Sequence, residues 1–206
     1  MRGARGPRYT RRMLSEIADP LARFAAALEA ARAKEPFDAT AMTLATVDAR
    51  GRPSARVVLL KGVDAAGITF FTNQQSRKSR ELADNPFAAL CMHWPASQEQ
   101  VRAEGQVHRV SDAESDAYFA TRPRESQIGA WASEQSAPLA SREALVARVR
   151  EVEARFPGAV PRPPHWGGYR LVPDRVELWF AGPARLHDRF LYTREGDRWV
   201  MVRLNP

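Results

Sequence analysis

Four cations, Arg56, Lys61, Arg77 and Lys78, fall within residues 54–78, SARVVLLKGVDAAGITFFTNQQSRK, together with the hydroxyl of Ser76. A phosphate monoester carries close to two negative charges and is held best by several charge-assisted donors at once. Cations at strand ends and in an adjoining loop can converge on such an anion; on a solvated hairpin the same cations are ordinary surface charge. Lysine usage leans toward the first reading. Among 31 Lys plus Arg only Lys34, Lys61 and Lys78 are lysines, and two of these three lie in this stretch. A compact ammonium there suits a point contact with an anion.

Two further segments are dense in polar groups. Residues 118–136 carry Tyr118, Arg122, Arg124, Ser126, Gln127, Gln135 and Ser136 without clean periodicity, a pattern that in a compact domain carries function or covers an edge. Residues 179–189, WFAGPARLHDR, alternate Arg185, His187 and Arg189. In an extended conformation these three face one way and repel one another unless an anion or an acidic partner lies there. The plainer reading makes His187 a satisfied surface histidine with Asp188 neutralising its neighbours. The four histidines, His93, His108, His165 and His187, are scattered, so no metal site is expected.

The elements that must position these groups are mostly short strands. Val57–Leu60 and Ile68–Thr72 are β-branched and apolar runs on either side of a Gly-containing turn. Ala41–Val47, Phe87–Trp94 and Gln100–Val110 read as further strands, and Tyr169–Val172, Arg175–Phe180, Phe190–Arg194 and Trp199–Leu204 close the chain. Asp19 and Pro20 start a helix as N-cap and first helical residue, with Leu21, Phe24, Leu28 and Ala31 on one face and Pro36 as its stop. Ser79–Asn85 is a short helix; Ser111 and Glu114 form a capping box for another, to about Ala120; Ser141 opens a long one. Seven to nine antiparallel strands with three or four helices predict an α+β, mainly β fold: a small antiparallel barrel with peripheral helices.

Composition narrows the function class. With 206 residues and 44% hydrophobic content the chain fits one domain, residues 19–206, preceded by a loose basic arm over residues 1–18. A single cysteine, Cys91, excludes an intrachain disulfide and fits the reducing cytoplasm. No run has membrane-spanning length, and the basic start lacks an apolar signal core. A net charge of +7 raises nucleic acid as a partner, but acidic residues are interspersed and no zinc-finger or RNA-binding aromatic signature is present. Small anionic ligands account for the cations without nucleic acid or membrane. The G-x-G-x-x-G and Walker patterns are absent.

The chain resembles the pyridoxine/pyridoxamine 5′-phosphate oxidases, flavin enzymes of vitamin B6 metabolism. The resemblance rests on RVVLLK (56–61), FFTNQQSRKSREL (70–82), YFATRPRESQIGAWASEQS (118–136), PRPPHWGGYRL (161–171), ELWF (177–180), RLHDR (185–189) and RLNP (203–206), in the family's order and with its spacing. It covers about Asp19 to Pro206, and the pair RPRESQIGAW and RLHDR is highly specific.

The resemblance implies an FMN-binding split barrel and an obligate homodimer with active sites at the subunit interface. It implies FMN contacts from Arg56, Val57, Val58, Leu59, Leu60, Lys61, Phe71, Thr72, Arg77, Lys78, Gln100, Gln135 and Ser136, and from Trp179 and Arg189 of the second subunit. Lys61, Tyr118, Arg122 and Ser126 would bind the substrate phosphate, and the catalytic residues would be Arg185, over the pyridine ring opposite the flavin, and His187, at the ring substituents. The implied reaction is oxidation by O2 of pyridoxamine or pyridoxine 5′-phosphate to pyridoxal 5′-phosphate, with release of H2O2. Three positions depart from the family pattern: Phe71 stands where a tyrosine is common, Glu99 where an arginine is, and Phe180 where a glutamine is. Arg8 and Tyr9 would belong to an arm over the substrate. Related readings are a flavin oxidase of phenazine biosynthesis and a non-catalytic flavin- or heme-binding split barrel.

Overall fold

A computed structural model describes residues 19–206; the basic arm and Arg8-Tyr9 lie outside the described residues. Strands β1 (Ala41–Val47), β2 (Pro53–Asp64), β3 (Gly67–Asn73), β4 (Phe87–Trp94), β5 (Glu99–Arg109) and β6 (Trp166–Phe180) pair antiparallel in the order β3-β2-β1-β4-β5-β6. Pairing of β3 with β6 closes this ribbon into a six-stranded barrel. The closure removes the open edges that a flat sheet would leave. Strands β7 (Asp188–Glu195) and β8 (Arg198–Leu204) continue outward from β6.

Strand β6 does two jobs along one edge. Residues Trp166–Leu171 pair with β3, and Arg175–Phe180 pair with β7, while β5 runs along its other side. The sequence reading places two strands here, Tyr169–Val172 and Arg175–Phe180, on either side of Pro173-Asp174. The backbone instead passes through a register shift opposite Glu104 and Gly105. Gly105 permits it: a Cβ there would lie 2.1 Å from the carbonyl oxygen of Val172. Proline, which has no N–H to donate to a ladder, is tolerated at such an irregularity.

Five α-helices lie among the described residues, one more than the upper expectation: α1 (Pro20–Arg32), α2 (Arg77–Asp84), α3 (Asp112–Ala120), α4 (Arg124–Ala132) and α5 (Arg142–Arg155). Asp19 caps α1 as expected, its carboxylate accepting from Leu21 N at 2.9 Å. The helix stops at Arg32, short of Pro36. Its face of Leu21, Phe24, Leu28 and Ala31 packs into the barrel core with Met42, Leu44, Phe70, Trp94 and Leu178. Each such fully buried large side chain contributes about 1.5–3 kcal/mol. The Ser111 box forms only half: Ser111 Oγ accepts from Glu114 N, but the Glu114 carboxylate turns away to Arg170, 2.7 Å from its Nη2.

Helix α4 is the element that polarity concealed. Only Ile128 and Ala132 are buried in it, too few to write a 3.6-residue period. Ile128 joins Phe119, Val160 and Trp166 in a second apolar cluster, with Phe71, Trp131, Val149, Val152 and Phe156 packed around it. Helices α3–α5 are thereby fixed as a layer outside the barrel wall.

Candidate functional site

Between the barrel wall and that layer lies a cavity of about 840 Å³, within the range of sites that take a drug-sized or cofactor-sized ligand. β2 contributes Ser54 to Leu59 and Lys61, β3 contributes Phe71, Thr72 and Asn73, and α2 contributes Arg77 and Lys78 from its first turn. The far side is built by Tyr118, Arg122, Ser126, Gln135 and Ser136, with Trp166 at the start of β6. Residues far apart in sequence, from 54–78 and from 118–136, thus meet across one space.

The side chains of β2 alternate. Ser54, Arg56 and Val58 are half-buried, while Val57 is 66% and Leu59 40% exposed. Leu60 faces the barrel core and is fully buried, so its side chain is not in the cavity and only its backbone could serve a ligand. Lys61 sits in the register shift between Leu60 and Gly62. An extra residue of this kind re-aims the local side chains, and here it leaves Lys61 exposed on the cavity rim.

One group of cations is held by a buried carboxylate. Glu81 accepts from Thr46 Oγ1 at 2.5 Å, Ser54 Oγ at 2.7 Å, Arg56 Nη2 at 3.0 Å and Arg77 Nε at 2.8 Å. Burial alone would raise its pKa, but these hydrogen bonds outweigh that and hold the carboxyl at about 2. Lys78 is only 7% exposed. Its Nζ donates to Thr72 Oγ1 at 2.9 Å, Ser76 Oγ at 3.1 Å and Gln135 Oε1 at 2.9 Å. Burial, reinforced by the charge of Arg56 and opposed by that of Glu81, lowers the ammonium to about 8. Gln135 also accepts from Thr72 Oγ1 at 3.0 Å, and the next residue, Ser136, has a left-handed backbone, φ 72°. Such a conformation costs about 1–3 kcal/mol for a non-glycine residue and clusters at ligand sites.

The second group lies on α3 and α4 beside an aromatic wall. Phe71 stacks on Tyr118 at 4.1 Å between ring centroids and on Trp166 at 5.4 Å. Gly168 makes room for this, since a Cβ there would come within 2.6 Å of the Phe71 ring. The Arg122 guanidinium lies 4.8 Å from the Trp166 ring centroid, and its Nη1 is buried with no hydrogen-bond partner among the described residues. Burial pushes the Arg122 pKa down. An unpaired buried guanidinium nitrogen is costly, and an anion in the cavity would relieve that cost.

Gln100, Trp179, Arg185, His187 and Arg189 do not line this cavity in the same protomer. Gln100, Trp179 and Arg189 stand in one cross-strand row over β5, β6 and β7. The Trp179 and His187 rings are 4.6 Å apart, and His187 Nδ1 accepts from Gly182 N at 3.1 Å, which leaves Nε2 as the nitrogen free to donate. The expected extended alternation is absent. Pro183–Arg185 is a 3-10 turn in which Ala184 (φ 52°) and Arg185 (φ 62°) are left-handed, and the strand begins only at Asp188. Arg189 needs no ligand anion either: Glu177 accepts from its Nε at 2.8 Å and Nη2 at 3.1 Å. Asp188 pairs with Arg203. Arg189 is thus met by an acidic partner, and the turn takes Arg185 out of the row.

Sequence reasoning missed Glu81 and Trp166. Glu81 carried a signal, its i,i+4 spacing from Arg77. Trp166 carried none, since its place depends on β6 pairing with β3. Of the departing positions, Glu99 and Phe180 are directly paired across β5 and β6, and Arg23 of α1 binds both, 2.7 Å from the Glu99 carboxylate and 5.5 Å from the Phe180 ring centroid. Among the described residues no group of His, Cys, Asp or Glu could hold a metal ion, and no helix is long and apolar enough to cross a membrane.

Comparison with known proteins fits this architecture. Residues 28–156 match the family model for pyridoxamine 5′-phosphate oxidase, and residues 166–206 match that for the pyridoxine 5′-phosphate oxidase C-terminal dimerisation region. The pyridoxine/pyridoxamine 5′-phosphate oxidase of Anaeromyxobacter dehalogenans is 61% identical over 193 residues, 93% of this chain and 98% of that protein. That of Bordetella avium is 56% identical over 202 residues, 96% of each. Among solved structures, PhzG from Burkholderia lata in complex with tetrahydrophenazine-1-carboxylic acid superposes with TM-score 0.88 at 33% identity, covering 98% of this chain and 99% of that one. A pyridoxamine 5′-phosphate oxidase-related, FMN-binding protein from Nostoc punctiforme shares the fold, with TM-score 0.75 at 22% identity over 91% of this chain and 98% of that one.

Proposed function

The chain belongs to the pyridoxine/pyridoxamine 5′-phosphate oxidase family, and from that premise we propose that it is an FMN-dependent oxidase of pyridoxamine and pyridoxine 5′-phosphates. The product is pyridoxal 5′-phosphate, with H2O2 from O2 and, from the amine, ammonia after hydrolysis of the imine. Residues 19–206 act as one catalytic unit in a cytoplasmic homodimer.

The observation that carries this reading is the pair of cationic groups in one cavity, one with a buried ammonium at Lys78 and the other with the unpartnered Nη1 of Arg122. Two phosphates, one on the cofactor and one on the substrate, account for both. The residues present fit FMN: Arg56, Arg77 and Lys78 would hold its phosphate, Thr72, Gln135 and Ser136 would bond its polar atoms, and the exposed Val57 and Leu59 offer apolar cover for a ring. When bound, FMN supplies the electron acceptor for oxidation at the substrate C4′ carbon and the site of reoxidation by O2. Lys61, Tyr118, Arg122 and Ser126 hold the substrate phosphate, which fixes the position of C4′. Gln100, Trp179, Arg185, His187 and Arg189 complete the cavity of the second protomer, where Arg185 covers the substrate ring and His187 donates from Nε2 to a ring substituent. Positioning of this kind converts binding into rate.

The likeness to PhzG supports a second reading, an oxidase acting on a phenazine-type carboxylic acid. The substrate-side cluster of Lys61, Arg122 and Ser126 favours a phosphate. Aerobic turnover separates the two: with FMN and pyridoxine 5′-phosphate, pyridoxal 5′-phosphate and H2O2 form in equal amounts, while unphosphorylated pyridoxine is a poor substrate. Equal rates with and without the phosphate, or no aldehyde from either, overturn the first reading.

A further inference from the structure

Glu81 touches no part of the cavity, yet it binds two of the cations that line it and acts on a third. It is 4% exposed, and both carboxylate oxygens are engaged: Oε1 by Arg77 Nε and Ser54 Oγ, Oε2 by Arg56 Nη2, Thr46 Oγ1 and Ser54 Oγ. Arg56 is fastened at several points, since its guanidinium also donates to the Leu44 carbonyl at 3.2 Å and to the hydroxyls of Thr46 and Ser54. Arg77 is fastened at one edge only. Its Nε is committed to Glu81, while its two terminal nitrogens make no hydrogen bond among the described residues. The Glu81 charge also raises the proton affinity of Lys78 against burial and the charge of Arg56.

Three like charges brought together without a ligand repel. One buried carboxylate among them offsets part of that repulsion and leaves a formal charge of about +2, the complement of a phosphate monoester dianion. We infer that Glu81 is a positioning residue for phosphate recognition, orienting Arg56 and Arg77 before the cofactor arrives. The inference rests on the reading of the cavity as an FMN site.

A bystander carboxylate and a positioning carboxylate predict opposite signs. Near an anion site, an anion that merely adds charge weakens binding, so Glu81→Gln would then bind FMN more tightly. A positioning residue predicts weaker binding, confined to the ligand that carries the phosphate. The experiment titrates the full-length apoprotein with FMN and with riboflavin, following flavin fluorescence, for wild type, Glu81→Gln and Glu81→Asp. The expected result is an FMN dissociation constant raised about tenfold or more in Glu81→Gln, the scale of charge-assisted bonds lost from the phosphate, with riboflavin binding changed less than about twofold. If Glu81→Gln does not fold, Glu81→Asp decides: it keeps the charge but is one methylene too short to reach both arginines, and must show the same loss for FMN alone. FMN binding unchanged or tightened, or equal losses for both flavins, overturns the inference. Wild type binding neither flavin overturns the reading of the cavity itself, a result distinguishable from all of these.

Discussion

The cavity between β2 and α4 and the turn between β6 and β7 hold similar residues in opposite states. On the α2 side of the cavity three cations are set by partners from their own chain: Lys78 by three acceptors, Arg56 and Arg77 by Glu81. In the turn, Arg185 is exposed on a left-handed backbone, and Leu186 beside it is 68% exposed. Arg189 next to the turn is anchored, by Glu177 and by the carbonyl of Asn205. In the proposed reading the contrast separates a pre-organised site from one that a second protomer would complete. Binding to the first would then depend on contacts already made, and function of the second on assembly.

The largest effect is expected where the two regions would act together. Arg185→Ala should lower kcat about 100-fold, the scale of lost substrate positioning, while FMN stays bound; wild-type turnover in this variant would remove Arg185 from the site. Lys78→Met should weaken FMN about 10- to 100-fold through loss of charge-assisted hydrogen bonds, measured by flavin release on dilution. Unchanged affinity there would mean that the network is structural only.

A smaller effect follows from protonation. An anion binds the charged form of Lys78, whose pKa is held at about 8, so FMN affinity should fall as pH rises from about 7 to 9. Stability of the unliganded protein runs the other way. The folded state sheds this proton near 8 and the unfolded chain near 10.5. The unfolded state therefore binds more protons between those values, and stability from this group rises across them. Lys78→Met should abolish both trends. The smallest effect is expected from Phe71→Tyr, which adds one hydroxyl beside Tyr118 and Trp166; KM and kcat should each change less than about fivefold, since a single added hydrogen bond is worth about 1 kcal/mol or less.

How much of this was legible in the sequence depends on the range of the interaction. Caps and strands set by neighbours in the chain were readable, as at Asp19, at Ser111 and in the Phe87–Trp94 strand. Helix α4 was hidden because only Ile128 and Ala132 mark its buried face, and β6 because Pro173 resembles a terminator until Gly105 is placed opposite it. The cations of residues 54–78 and of residues 118–136 were readable as anion-binding types, but their meeting in one cavity depends on barrel closure through β3 and β6. The alternation of Arg185, His187 and Arg189 misled because strand periodicity was assumed for a segment that turns.

Mixed dimers test the central claim, that one protomer's cavity works with the other's Arg185 turn, most directly. Lys78→Met and Arg185→Ala are co-expressed, and turnover of the mixed population is measured at an FMN concentration that fills the wild-type site but leaves the Lys78→Met site largely empty, so that each variant alone is nearly inactive. If the site is shared, each heterodimer carries one fully wild-type site, and random pairing restores about a quarter of wild-type activity. If cavity and turn serve the same protomer, every site keeps one lesion, and no recovery in a population verified to contain heterodimers contradicts the account.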